Sequence, residues 1–224
     1  MPKKNKPTNQ QEKIRRVEQG GYRFYLIGDQ KLPSVTTILH ALPEPQGLVT
    51  WKRNNPNWKD ILHDAGKMGT ITHCLCQNHM SSIHGLELQN IEEEIKQSEI
   101  PVKYLPRIIK NYEYYLKWFD EYKPRPMHIE IPLYHSKDLY AGTADLICEI
   151  DGFIWLVDIK TGKYMYDTYD AQLYAYKEAL VSMGHRIDKM GVLRMGELGS
   201  EWTETKGNPE LWLNALMTFH SQYS

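Results

Sequence analysis

The sequence predicts an α/β protein, and three features carry that prediction. Apolar runs near 127–134, 140–150 and 153–160 read as strands, and Asp151-Gly152 between the last two favours a tight hairpin turn. Residues 101–122 place Val102, Leu105, Ile108, Ile109, Tyr112, Tyr115, Leu116 and Phe119 at helical spacing, the signature of a long amphipathic helix. A helix near 168–183 and a strand near 189–195 then follow, so strands and helices mix within one unit.

The remaining elements follow from local signals. Residues 1–19 are polar and are expected to form a flexible basic tail ahead of a single domain spanning 20–224. Residues 22–27 alternate enough for a strand, with Gly28-Asp29 as its turn. Ser34 is a good N-cap for a short helix over 35–41, and Pro43 and Pro45 stop it. Two helices are expected at 55–65 and 70–82, separated by Gly66-Lys67-Met68-Gly69, with His73 in the first turn of the second. A C-terminal helix starts near 209. There is no internal repeat and no low-complexity segment.

Composition bounds the possibilities. A chain of 224 residues with 41% hydrophobic content can bury one sizeable core. A net charge of −1 gives no support by itself to a nucleic-acid partner, so any such surface would be a local patch. Lys3, Lys4, Lys6, Lys13, Arg15 and Arg16 form one basic cluster, open to reading as a DNA contact or as an ordinary basic tail. Cys74, Cys76 and Cys148 do not make a disulfide framework. No apolar run approaches a membrane span and no signal-peptide core is present, so a soluble cytoplasmic protein without membrane contact is expected.

The chemistry concentrates in one region. If 153–160 is a strand, Asp158 and Lys160 share a face. Folding back at Asp151-Gly152 pairs residues whose numbers sum to roughly 303, which sets Asp145 opposite Asp158. Two carboxylates a few Å apart repel unless a cation sits between them. Mg²⁺ suits such a pair, since it takes oxygen ligands and is commonly bound by one or two carboxylates plus substrate phosphates. The lysine beside it would orient or deprotonate a water, and the combination points to hydrolysis of a phosphodiester.

These residues resemble the PD-(D/E)XK nuclease superfamily, and within it the RecB-like exonuclease branch. The resemblance rests on Gly69-Thr70-Ile71-Thr72-His73, Gly142-Thr143-Ala144-Asp145, Asp158-Ile159-Lys160-Thr161-Gly162 and Gln172-Leu173-Tyr174-Ala175-Tyr176, in the family order, over about residues 33–180. The segment from Pro33 to Leu39 and the compact size are similar to mitochondrial genome maintenance exonucleases and related phage enzymes. Asp158 stands where many superfamily members carry Glu.

The resemblance implies a restriction-endonuclease-like core, a central mixed sheet flanked by helices. It implies a Mg²⁺-dependent DNA exonuclease, with Mn²⁺ as a substitute, acting on single strands or duplex ends in DNA repair, recombination or replication, plausibly phage or bacterial. By the same resemblance His73, Asp145, Asp158 and the Ile159 carbonyl are metal ligands, and Lys160 positions the water. Gln172 and Tyr176, one helical turn apart, would reach the site or the substrate backbone. Some relatives hold an iron–sulfur cluster on four cysteines; three cysteines here imply none.

Other readings stand beside these. Glu130 would add a third carboxylate from a neighbouring strand, or be a surface glutamate. Tyr112, Tyr114, Tyr115, Trp118 and Phe119 would stack bases, or be core. Lys163, Tyr164 and Tyr166, just past the catalytic strand, would touch DNA or form an ordinary loop. Gly66-Lys67 is not a phosphate-binding loop, so no ATP dependence is expected. The competing function is a non-catalytic or partner-dependent DNA-binding module on the same fold, and a recombination or replication partner protein is compatible with either.

Overall fold

The computed structural model describes residues 14–223. Lys3, Lys4, Lys6 and Lys13 of the basic cluster lie outside them, as does most of the expected tail. The tail nevertheless ends earlier than expected. Arg15–Gln19 forms β1, which pairs antiparallel with β2, Tyr22–Ile27, and β2 pairs with β3, Gln30–Pro33. Strand β1 has one apolar residue, Val17, among four polar ones, so its order comes from backbone pairing and not from a hydrophobic pattern that sequence reading could detect.

Ser34 caps α1, Val35–Leu39, by accepting from Thr37 N. Helix α2, Gln46–Asn54, follows, and then α3, Trp58–Ile83, runs unbroken through 66–69. The expected pair of helices is therefore one, and His73 sits in its middle. An interior glycine costs a helix about 1 kcal/mol relative to Ala, which packing can outweigh. Here Gly69 has a packing role: a Cβ on it would lie 3.0 Å from Thr161 Oγ1, so its bare backbone lets α3 approach the end of a strand.

Helix α4, Ile91–Ser98, is followed by α5, Leu105–Tyr122. Strands β4, Arg125–His135, β5, Tyr140–Ile150, and β6, Phe153–Thr161, come next. Helix α6, Asp167–Ser182, crosses to β7, Lys189–Gly196, which turns into β8, Gly199–Thr205, before α7, Pro209–Tyr223. The large sheet has the order β4-β5-β6-β7-β8; β6 and β7 are parallel and the other neighbours antiparallel.

This is an α/β fold with a five-stranded mixed sheet flanked by helices on both faces. On one face α1, α6 and α7 pack over Leu133, Ala144, Ile147, Leu156 and Val192. On the other, α3 and α5 pack over Leu146, Cys148, Trp155, Val157 and Leu193. The aromatic run of α5 serves this second core. Tyr115 and Trp118 are buried, and Tyr112, Tyr114 and Phe119 pack against them, so these rings do not form an exposed stacking surface. Burial pushes the Cys148 thiol up to about 12 and holds Cys76 well above the usual thiol range. Among the described residues no helix is long and apolar enough to cross a membrane.

Candidate functional site

The hairpin register follows the turn. Asp151 and Gly152 both have positive φ, +50° and +79°, as a two-residue type I′ turn requires. Pairing then runs from Ile150 with Phe153 to Leu146 with Val157, the expected sum of 303, and stops there. Beyond that point β5 continues with β4 while β6 continues with β7. The sheet forks, and Asp145 and Asp158 stand at the fork, one on each prong.

The fork is held open by side chains. Asp145 Oδ2 accepts from the Ile159 backbone N–H at 2.7 Å, where a paired strand would have offered a carbonyl. A strand residue presents its N–H and C=O to the same side, so the Ile159 carbonyl also faces the Asp145 prong.

Side-chain alternation changes at the same place. Ala144 and Leu146, two apart, pack on opposite faces of the sheet, as do Ile131 and Ile129 across from them on β4. Between the latter pair sits Glu130, a non-glycine residue at φ +50° in mid-strand. Such a backbone costs on the order of 1–3 kcal/mol and persists only where its surroundings impose it. It brings the Glu130 carboxylate beside Asp145. His73 arrives from α3, its Nδ1 3.6 Å from Asp145 Oδ1. Ligand atoms of His73, Glu130 and Asp145 all lie within 4.8 Å of one another.

Asp158 stands next to this trio without belonging to it. It is buried on the α6 face, where Lys160 Nζ lies 2.7 Å from Oδ2 and Gln172 Nε2 donates to Oδ1 at 3.0 Å. Lys160 also donates to Gln172 Oε1 at 3.2 Å, closing a three-residue ring. The Lys160 contact to Oδ2 compensates charge but is off the hydrogen-bonding axis, and Oδ2 has no aligned donor. A buried carboxylate oxygen in that condition is open to a cation.

The acids are strained electrostatically. Burial, with Asp145 adding repulsion, pushes Glu130 up to about 7, against the hydrogen bond from Gln77. Burial pushes Asp158 up to about 6; Lys160 pulls it down and Asp145 pushes it up. A group made of carboxylates and one imidazole, with repulsion left over, fits a hard divalent cation such as Mg²⁺ or Mn²⁺. Melting in Mg²⁺ or Mn²⁺ at pH 7.5 is expected to exceed melting in EDTA, by about 2.7 kcal/mol of stability at a hundredfold excess over Kd. Glu130→Gln and His73→Ala should shrink that shift; an unchanged shift would remove both from the site.

Raised carboxylate pKa values also fix the sign of a pH effect. In the unfolded chain these acids release their protons near their ordinary values, so between about pH 4 and 7 the folded state holds more protons. Stability of the metal-free protein therefore falls as pH rises through that window. In EDTA the melting temperature should climb on going from pH 8 to pH 6, and Glu130→Gln with Asp158→Asn should flatten the slope. A flat wild-type profile would contradict the assigned burial.

Of the expected residues, then, His73, Asp145, Asp158, Lys160 and Gln172 are brought together, the Ile159 carbonyl faces the right side, and Glu130 is central and not peripheral. Of the two positions expected for Tyr176, at the site or on the substrate backbone, the structure gives the one at the site. Its ring is buried beneath Gly142, where a Cβ would meet Tyr176 Cε1 at 2.6 Å. Burial, with Asp158 next, holds its phenol well above the usual range. It buttresses the site from within the core.

Two further residues escaped sequence reading. Gln77, one helical turn past His73, donates to Glu130 Oε1 at 2.6 Å; its signal was the i, i+4 spacing on α3. Arg23 on β2 is held by its backbone, which donates to Thr37 Oγ1 and accepts from Ser34 N and Thr37 Oγ1. Two residues along the same face, Tyr25 Oη bonds Thr143 Oγ1 at 2.9 Å. The Arg23 guanidinium has no hydrogen bond or ion pair among the described residues, yet its charge acts on both Glu130 and Tyr176. No sequence motif marked it.

Fold and site together define an α/β protein that gathers three acids, an imidazole, a lysine and a glutamine where its central sheet divides. No family model and no curated protein matches the chain. Among solved structures, the crystal structure of SSO0001 is similar over 68% of this chain and 72% of that one, with 13% identity and a TM-score of 0.38, a likeness too slight to carry an argument.

Proposed function

We propose that the protein is a divalent-metal-dependent DNA exonuclease with a PD-(D/E)XK core, hydrolysing phosphodiester bonds on single strands or duplex ends in DNA repair, recombination or replication. The observation that carries this reading is the Asp158–Lys160–Gln172 ring lying against the His73–Glu130–Asp145 trio, with Asp158 Oδ2 buried and lacking an aligned donor. The motif resemblance supports the same reading.

His73, Glu130, Asp145 and Asp158 would hold the metal. When bound there, a divalent cation supplies polarisation of the phosphate and a lowered pKa for a coordinated water. Lys160 has three N–H donors. One of them is given to Gln172 Oε1, while Asp158 holds the ammonium by charge alone, so N–H groups remain to aim a water at phosphorus. Gln172 fixes Lys160 and Asp158 relative to each other from a buried position. Arg23, without an ion pair among the described residues and with its charge acting on Glu130, is a ready partner for a non-bridging phosphate oxygen.

The test is cleavage of end-labelled single-stranded linear, duplex linear and circular DNA with Mg²⁺, Mn²⁺ or EDTA, comparing wild type with Lys160→Ala. Metal-dependent shortening of linear DNA that is lost in the variant supports the proposal. Wild-type protein that leaves every substrate intact sinks it and returns the chain to a binding role.

A further inference from the structure

The exposed rings near the site are not those of α5. They lie on the turn that follows β6, where Tyr164 is 51% exposed and Tyr166 44%. An isolated surface tyrosine carries no message, but this turn is built in an unusual way. Gly162 N–H donates to Met195 O at 2.9 Å. Arg194 on β7, itself 5% exposed, points Nη1 at the carbonyls of Gly162, Lys163 and Gly199 at 3.2, 3.5 and 3.3 Å, and Nε at Glu201. Burying a guanidinium is costly, and here the cation fastens backbone. The fit leaves no clearance, since a Cβ on Gly196 would fall 1.8 Å from Gly162 O.

What the clamp holds is a basic and aromatic surface continuous with the site. Lys163 Nζ lies 5.4 Å from the Tyr164 ring centroid. Tyr166 meets Tyr169 edge to face at 5.5 Å, and Lys160 Nζ sits 5.2 Å from the Tyr169 centroid. The rings thus lead outward from Lys160. Every base offers a face to stack on, so rings beside a backbone-binding cation take a single strand regardless of sequence.

We infer that residues 162–166 form a nucleobase-stacking platform, on which Tyr164 and Tyr166 grip unpaired bases next to the scissile phosphate while Lys163 meets the backbone. The inference rests on the proposed nuclease function and adds what the protein holds: exposed bases of single-stranded DNA, without sequence preference. Arg194 is a positioning residue for the platform.

The experiment measures binding, with Ca²⁺ present, of a labelled oligothymidylate and of a deoxyribose-phosphate chain of equal length without bases. Wild type, Tyr164→Ala with Tyr166→Ala, and Tyr164→Phe with Tyr166→Phe are compared. Wild type should prefer the base-bearing strand at least tenfold. The alanine pair should lose roughly tenfold per ring on that strand, with the base-free strand unchanged, and the phenylalanine pair should stay near wild type. The Mn²⁺-induced melting shift should be the same in all three, showing an undisturbed site. An alanine pair that keeps the wild-type preference, or that loses both strands equally, overturns the platform. Wild type that cleaves DNA yet shows no base preference overturns the platform alone; wild type that neither binds nor cleaves overturns the nuclease reading with it.

Discussion

Asp158→Asn is expected to abolish metal-dependent cleavage while leaving the folded protein at least as stable as wild type at pH 8. The substitution keeps the size of a fully buried side chain and an oxygen that Gln172 can still address. It removes a negative charge that burial disfavours and that Asp145 repels. Loss of a group acting on the reacting water costs about 10²–10⁴-fold in rate, and loss of a metal carboxylate adds to that. Lys160→Ala should reduce cleavage comparably but behave differently in melting, because it leaves Asp158 buried without its counter-charge. Breaking one side of a buried pair costs on the order of 3–5 kcal/mol, limited here because Asp158 can take up a proton. Rates on end-labelled DNA and melting curves for both variants check the pair of outcomes. Undiminished cleavage by Asp158→Asn would remove Asp158 from the reaction, and equal melting losses would refute the electrostatic argument.

Gly142→Ala should give a large loss of stability. The added methyl would stand 2.6 Å from Tyr176 Cε1 and 3.3 Å from Leu133 Cδ1. Overpacking of this kind typically costs about 1–3 kcal/mol, or roughly 2–4 °C of melting temperature per kcal/mol in a chain of this size. Because Asp145 is three residues along the same strand, displacement of β5 should also weaken the metal-induced melting shift. Tyr176→Leu vacates part of the space, so Gly142→Ala placed on top of it should cost much less than on wild type. Additive losses in the double variant would show that the two residues do not share this contact.

The two predictions draw on different parts of what was legible. The spacing of Asp158 and Lys160, the turn at Asp151-Gly152 and the register it imposes are local facts, and they brought the two acids near each other, although the ladder ends at Leu146 and Val157 and Asp145 is not paired opposite Asp158 as expected. Ser34 announced α1 in the same way. Strands β1 and β8 were not legible, since RRVEQ and GSEWTET show no apolar alternation and are strands because a neighbour's backbone pairs with them. Gly66 and Gly69 suggested a break between helices; close approach of α3 to Thr161 is invisible to a local rule, and it reversed the outcome.

The sequence alone determined the α/β class, the central hairpin and the nearness of Asp145, Asp158 and Lys160, because period-two alternation and turn chemistry act over a few residues; Gln172 was marked only by its motif resemblance. Only the tertiary structure decided that the sheet divides at Asp145 and that side-chain alternation changes face there. It also placed Glu130 and Gln77 in the site, buried Tyr176 beneath Gly142, brought the Arg23 charge to bear on Glu130, and set the turn after β6 beside Lys160 through Tyr169. These depend on where strands stop pairing and how closely elements approach, and both follow from packing among residues far apart in the chain.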